Sequence, residues 1–129
     1  MIKGIGIDLL EKSRVERLLT QYGDKFVNKV LTDTEKKELE SKKNMKNKIS
    51  FISNNFSGKE AVSKLLTTGF SKGVNLRNIE VLRTEEGEPF LNLKGKAKKI
   101  AGKKGIKTLF ITVTDTKDFS LTFVLGEGE

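Results

Sequence analysis

The sequence predicts an α+β fold, a mainly antiparallel sheet organised around a long central helix. Three observations carry this. Two-residue alternation of apolar side chains marks strands at both ends of the chain, over residues 2–9 and 108–125. A helical period marks residues 13–22 and the stretch from Ser53 to Gly69. The strands after residue 78 come as two pairs, each joined by a short turn, as antiparallel neighbours are. At 129 residues the chain is long enough for one core, and a single domain over 1–129 is expected.

In the first strand, Ile5, Ile7 and Leu9 share one face, which reads as core, and Gly4, Gly6 and Asp8 share the other. The second face is bare except for its carboxylate, so a helix or a ligand can approach the backbone there. A lone aspartate at a strand end equally suits a turn or a cap. Val15, Leu18, Leu19 and Tyr22 then fall at i, i+3, i+4 and i+7, with Gly23 placed to end a helix and Arg14, Glu16 and Arg17 turned to solvent.

Phe26, Val27, Val30 and Leu31 form a short apolar patch, and Thr32-Asp33-Thr34-Glu35 matches the capping box that opens a helix, which gives Glu35 a sufficient structural role. Residues 36–48 hold six lysines and little that is apolar beyond Leu39 and Met45. That segment reads as a solvated helix or a basic loop able to embrace a phosphate.

Ile49, Ile52 and Phe56 lead into the central helix. There Ser53, Ser57, Glu60 and Lys64 line up as one polar row, Val62, Leu65 and Leu66 can bury, and Gly58 admits a close neighbour. As an ordinary solvated face the row amounts to a Glu60–Lys64 pair worth ~0.2–0.5 kcal/mol. As a site it offers a carboxylate beside an ammonium. Beyond Gly69, residues 79–83 and 90–93 read as a hairpin turning near Pro89. Ala97, Ile100 and Ala101 suggest a short basic helix. A last hairpin directs Leu109, Ile111 and Val113 inward on one strand and Phe119, Leu121, Phe123 and Leu125 inward on the other.

Composition narrows the chemistry. Cysteine and histidine are both absent, so a metal would be held by oxygen, which favours a hard cation such as magnesium. No apolar run reaches the length of a membrane span, and the first residues lack the layout of a signal peptide, so a soluble cytoplasmic protein is expected. The net charge of +8 calls for an anionic partner: a nucleic acid, a phosphorylated small molecule or an acidic protein. Lysine supplies most of it, without the arginine forks and aromatic platforms of sequence-reading nucleic-acid proteins.

Taken together, Gly4-Ile5-Gly6-Ile7-Asp8-Leu9-Leu10-Glu11 with Arg14, Leu31-Thr32 with Glu35, Phe56 with Lys59-Glu60-Ala61-Val62-Ser63-Lys64 and Gly69, and the closing Thr112-Val113-Thr114 strand resemble the holo-[acyl-carrier-protein] synthases, small bacterial 4′-phosphopantetheinyl transferases. The likeness runs end to end. It implies that fold, and magnesium-dependent transfer of phosphopantetheine from coenzyme A to a serine of apo-acyl carrier protein in fatty acid biosynthesis. It further implies Asp8 and Glu60 as metal ligands and Lys64 as a phosphate contact. Gly69 and Thr112 fall at positions that hold coenzyme A, Arg14 at one facing the carrier, and Glu35 at one assigned a part in deprotonation. A homotrimer with shared active sites is implied too.

The chain departs from the family pattern at Phe110 and Asp115, where histidines are common, and at Asn55, where an arginine is common. Thr67-Thr68-Gly69 and Gly87-Glu88-Pro89 replace the usual Gly-Thr-Gly and Gly-Lys-Pro. Two other readings stay open at this level: a carrier-binding protein that has lost catalysis, and a basic nucleic-acid-binding module.

Overall fold

The computed structural model describes residues 1–129. Strand β1 (Ile2–Glu11) passes directly into helix α1 (Lys12–Tyr22), which ends where Gly23 adopts a φ of 54°. The apolar patch that follows is itself a helix, α2 (Asp24–Val30), burying Phe26, Val27 and Val30. Helix α3 (Asp33–Glu40) opens with the expected capping box: Thr32 Oγ1 accepts from the Glu35 amide and the Thr32 amide donates to Glu35 Oε1.

After a four-residue turn, Asn44 accepts from the Asn47 amide and starts α4 (Met45–Leu65), 21 residues long. At 1.5 Å per residue it extends roughly 30 Å, long enough to cross the whole sheet. A 3₁₀ turn (Leu76–Asn78), the hairpin β2 (Ile79–Arg83) and β3 (Pro89–Leu93), helix α5 (Gly95–Lys103), and the hairpin β4 (Thr108–Asp115) and β5 (Phe119–Glu127) complete the chain.

Two antiparallel sheets result: three strands in the order β1-β5-β4, and the pair β2-β3. Helix α4 lies across the larger sheet and touches β2, with apolar clusters at its two ends. Leu10, Val15, Phe26, Val30, Leu31, Ile52 and Phe56 join its first half to α1 and α2. Ala61, Val62, Leu66, Ile79, Ala97 and Val124 join its second half to β2, β5 and α5. Each large apolar side chain fully buried here contributes about 1.5–3 kcal/mol, which is what fixes α4 against the strands.

On β4, Leu109 and Ile111 pack against the core as the sequence suggests, but the facing of β1 and β5 is the reverse of the sequence expectation. Gly6, Asp8 and Leu10 are the buried residues of β1, whereas Ile5, Ile7 and Leu9 stand 61, 56 and 63% exposed. On β5 the covered positions are Ser120, Thr122, Val124 and Gly126, and Phe119 and Phe123 face outward with Phe110 of β4. The reason is backbone proximity. A Cβ at Gly6 would stand 2.1 Å from the Ala61 carbonyl oxygen, so only a glycine face lets α4 settle this close. The apolar side of the sheet is left uncovered.

Helix α4 differs in the same sense. Ser53 and Ser57, expected on a surface row, are fully buried between helix and sheet, and only Lys64 at the row's end is exposed.

Candidate active site

The glycine face of β1 brings the strand so near α4 that Asp8 meets Glu60 and Lys64, the end of the helix's polar row. Ser57 Oγ donates to the Asp8 carbonyl oxygen at 3.2 Å, one turn before Glu60. Lys64 Nζ donates to Asp8 Oδ1 at 3.1 Å and to the Ile7 carbonyl oxygen at 3.0 Å. Lys64 therefore pairs across to the strand and not with Glu60 on its own helix. Arg14, at the start of α1, places Nη1 3.5 Å from Glu60 Oε1 and stacks its guanidinium over Phe56 with 5.2 Å to the ring centre.

Two carboxylates thus share one recess between two cations. Burial and the neighbouring Asp8 carboxylate push Glu60 up to about 7, with Arg14 and Lys64 opposing the shift. The second oxygen of Asp8, Oδ2, is buried and has no hydrogen-bond partner. Such an acceptor, next to a carboxyl that resists ionising, fits a further positive charge. A pair of carboxylates suits magnesium, whose other positions go to water and phosphate. Asp8 and Glu60 are the residues that could hold it.

The other expected site residues lie elsewhere. Gly69 sits in the exposed loop after α4 at a φ of 56°. Thr112 is opposite Phe123, itself opposite Ile7, so its side chain belongs to the uncovered face of the sheet and Asp8 to the covered one. One chain alone does not unite Thr112 with Asp8, Glu60 and Lys64.

Glu35 does not fit the deprotonating role the resemblance implied. It is 1% exposed, and its oxygens accept from the Thr32 amide, Lys59 Nζ at 2.6 Å, Asn55 Nδ2 at 2.8 Å and the Val81 amide. Every acceptor direction is occupied by the scaffold. Asn55, where a phosphate-binding arginine is usual, is likewise interior and ties Glu35 to the Val81 carbonyl oxygen. Asp115, at a common histidine position, accepts from Lys12 Nζ at 2.7 Å, and Lys12 also donates to Ser50 Oγ. Phe110 lies on the uncovered face.

Sequence reasoning missed the interior charges. Lys59, fully buried, donates to Glu35 and to the Leu76 carbonyl oxygen. Desolvation lowers its pKa, against the pull of Glu35. Glu80, 2% exposed, accepts from Thr32, Asn92 and Lys94. Neither residue carries a local signal, because the partners are far away in sequence.

Comparison with known proteins adds independent observations. Residues 4–124 match the family profile of the 4′-phosphopantetheinyl transferase superfamily. The holo-[acyl-carrier-protein] synthase of Halothermothrix orenii is 36% identical over 127 residues, covering 98% of both chains, and that of Vibrio atlanticus is 36% identical with the same coverage. Among solved structures, the Neisseria meningitidis holo-[acyl-carrier-protein] synthase superposes with a TM-score of 0.87 at 30% identity, covering 98% of this chain and 99% of that one. The Bacillus anthracis holo-(acyl-carrier-protein) synthase in complex with CoA (3′,5′-ADP) superposes with a TM-score of 0.83 at 30% identity, covering 100% and 99%.

Proposed function

This chain belongs to the 4′-phosphopantetheinyl transferase superfamily, and from that premise we propose that Asp8 and Glu60 are the ligands of a magnesium ion and that Lys64 binds a phosphate of coenzyme A. Its activity is that of the holo-[acyl-carrier-protein] synthases: the phosphopantetheine arm of coenzyme A passes to a serine of apo-acyl carrier protein. In that exchange the serine oxygen forms a bond to the β-phosphorus and its proton passes to water, while the pyrophosphate bond breaks and adenosine 3′,5′-bisphosphate leaves with the electron pair. Asp8 and Glu60 would hold the magnesium ion, which would supply positive charge toward the phosphoryl oxygens.

The observation that carries the reading is the unpartnered, buried Oδ2 of Asp8 facing a recess where Glu60 titrates near 7. The residues of the chain divide the remaining work. Lys64 neutralises Asp8 and offers its exposed ammonium to phosphate. Arg14 holds Glu60 in place from the side where α1 meets solvent. The net charge of +8 steers an acidic carrier protein toward this surface.

The uncovered sheet face supports a homotrimer. Ile5, Ile7, Leu9, Phe110 and Phe123 make a contiguous apolar patch of the kind that soluble proteins bury against a partner. A neighbouring copy would also supply Thr112 and its strand to a site that one chain leaves without them. No helix is long and apolar enough to cross a membrane. A cytoplasmic setting, where coenzyme A and carrier protein meet, belongs to the same proposal.

Incubating the protein with apo-acyl carrier protein and coenzyme A, with magnesium or with a chelator, and then weighing the carrier tests the reading. One added phosphopantetheine with magnesium and none with chelator is expected. Equal modification in both would remove the metal from the proposal.

A further inference from the structure

Beneath α4, the covered face of the sheet is lined by small polar side chains. Asp8 of β1 and Ser120 and Thr122 of β5 face Ser53, Asn54 and Ser57 of the helix. Part of this layer is paired: Ser120 Oγ donates to Asn54 Oδ1 at 2.6 Å, and Ser57 Oγ donates to the Asp8 carbonyl oxygen. Three atoms are left over, Asp8 Oδ2, Thr122 Oγ1 and Ser53 Oγ, and all three are buried. A buried group left unpaired destabilises the fold, so a hydroxyl retained here calls for a partner.

Register identifies the partner. Asp8 and Thr122 are directly opposite one another in the β1–β5 pair. Side chains opposite in an antiparallel pair share a face, with Cβ atoms about 4.5–5.5 Å apart. Asp8 Oδ1 is already engaged by Lys64. Oδ2 is the open acceptor, and the Thr122 hydroxyl, 0% exposed, is the open donor across from it.

We propose that Thr122 is a positioning residue for Asp8, its hydroxyl reaching Oδ2 through one bridging water and so fixing the carboxylate in the orientation that binds the cation. The inference rests on the reading of Asp8 as a metal ligand. A ligating carboxylate that rotates freely must be ordered at each binding event, whereas one held by Lys64 on one oxygen and by Thr122 on one of the two acceptor directions of the other is ordered beforehand, with the remaining direction of Oδ2 left for the cation. Outer hydrogen bonds of this kind typically change metal affinity ten- to hundredfold. Valine matches the shape of threonine without its hydroxyl, which makes the contribution separable from packing.

The test counts free Mn²⁺, a spectroscopic substitute for magnesium, by electron paramagnetic resonance in titrations of the full chain, alongside melting temperatures. Thr122→Val is expected to bind Mn²⁺ about tenfold more weakly, with a melting temperature somewhat lowered because Asp8 Oδ2 loses its donor. Thr122→Ser is expected to stay within about twofold of the unaltered protein, since the donor is kept. Thr122→Ala serves if the valine variant fails to fold. Unaltered Mn²⁺ affinity in the valine or alanine variant would overturn the proposal, as would equal weakening in Thr122→Ser. Asp8→Asn is the separate control: if it binds Mn²⁺ normally, the metal site itself is misassigned and Thr122 has nothing to position.

Discussion

Lys64 Nζ lies 3.1 Å from Asp8 Oδ1, so the ammonium on α4 is directed at the first strand and leaves Glu60, one turn back, to Arg14. The side chain of Lys64 is 56% exposed, and an exposed ion pair contributes only about 0–1 kcal/mol. Its proposed role is in binding. Lys64→Ala is expected to weaken coenzyme A binding or turnover about ten- to hundredfold, the loss of one charge-assisted phosphate contact of about 1.5–3 kcal/mol. The melting temperature is expected to stay nearly level. Calorimetry and steady-state rates on one preparation check both, and full affinity with full turnover would make Lys64 an ordinary surface residue.

Glu60 gives the metal-free protein a defined pH dependence. Its folded pKa, raised from 4.5 to about 7, means that the folded state holds a proton the unfolded chain has released between those values. Stability from this group is therefore greatest below about 4.5 and declines as pH rises to about 7. Melting temperatures across that window, with chelator present, are expected to fall in the unaltered protein and to lose this component in Glu60→Gln. Added magnesium is expected to flatten the slope as well. A slope identical in the variant would place the titrating group elsewhere.

Glu35 and Lys59 form a fully buried pair at 2.6 Å. Removing one partner of such a pair costs about 3–5 kcal/mol, because the other charge is stranded. Glu35→Gln is thus expected to lower the melting temperature by roughly 10–20 °C while the folded fraction keeps its turnover at low temperature. Combining it with Lys59→Met is expected to recover part of the loss. A catalytic Glu35 would give the opposite pattern, lost turnover at unchanged stability.

The uncovered sheet face predicts assembly. Phe123→Lys puts a charge at its centre, opposite Ile7, where a partner copy would have to desolvate it. Sedimentation is expected to show a trimer for the unaltered protein and monomer for the variant. A trimer in both would move the interface to another surface.

Much of the architecture is legible in the sequence because it rests on local rules. The Thr32–Glu35 box, the Gly23 stop and the two late hairpins each follow from residues within a few positions, and the structure has them. The facing of β1 is not local. Ile5, Ile7 and Leu9 are the more apolar set, and period-two reasoning turns them inward, yet the depth at which α4 sits is decided by Gly6 against Ala61. The same limit applied to the site. Asp8, Glu60 and Lys64 were readable as residues of interest from their spacing and from family likeness. The Lys59–Glu35 pair, the interior place of Asn55 and the hydroxyl opposite Asp8 depend on which strands become neighbours.

The most direct measurement takes the unaltered protein, Asp8→Asn and Glu60→Gln through one experiment: apo-acyl carrier protein, coenzyme A and magnesium are added, the carrier is weighed over time, and each protein's melting temperature is recorded beside it. Because the two carboxylates repel each other in the absence of a cation, neutralising either relieves strain in the fold while removing a carboxylate proposed to hold the metal. The account predicts one added phosphopantetheine with the unaltered protein, little or none with either variant, and melting temperatures level or raised in both. Full transfer by a folded Asp8→Asn or Glu60→Gln variant would contradict it.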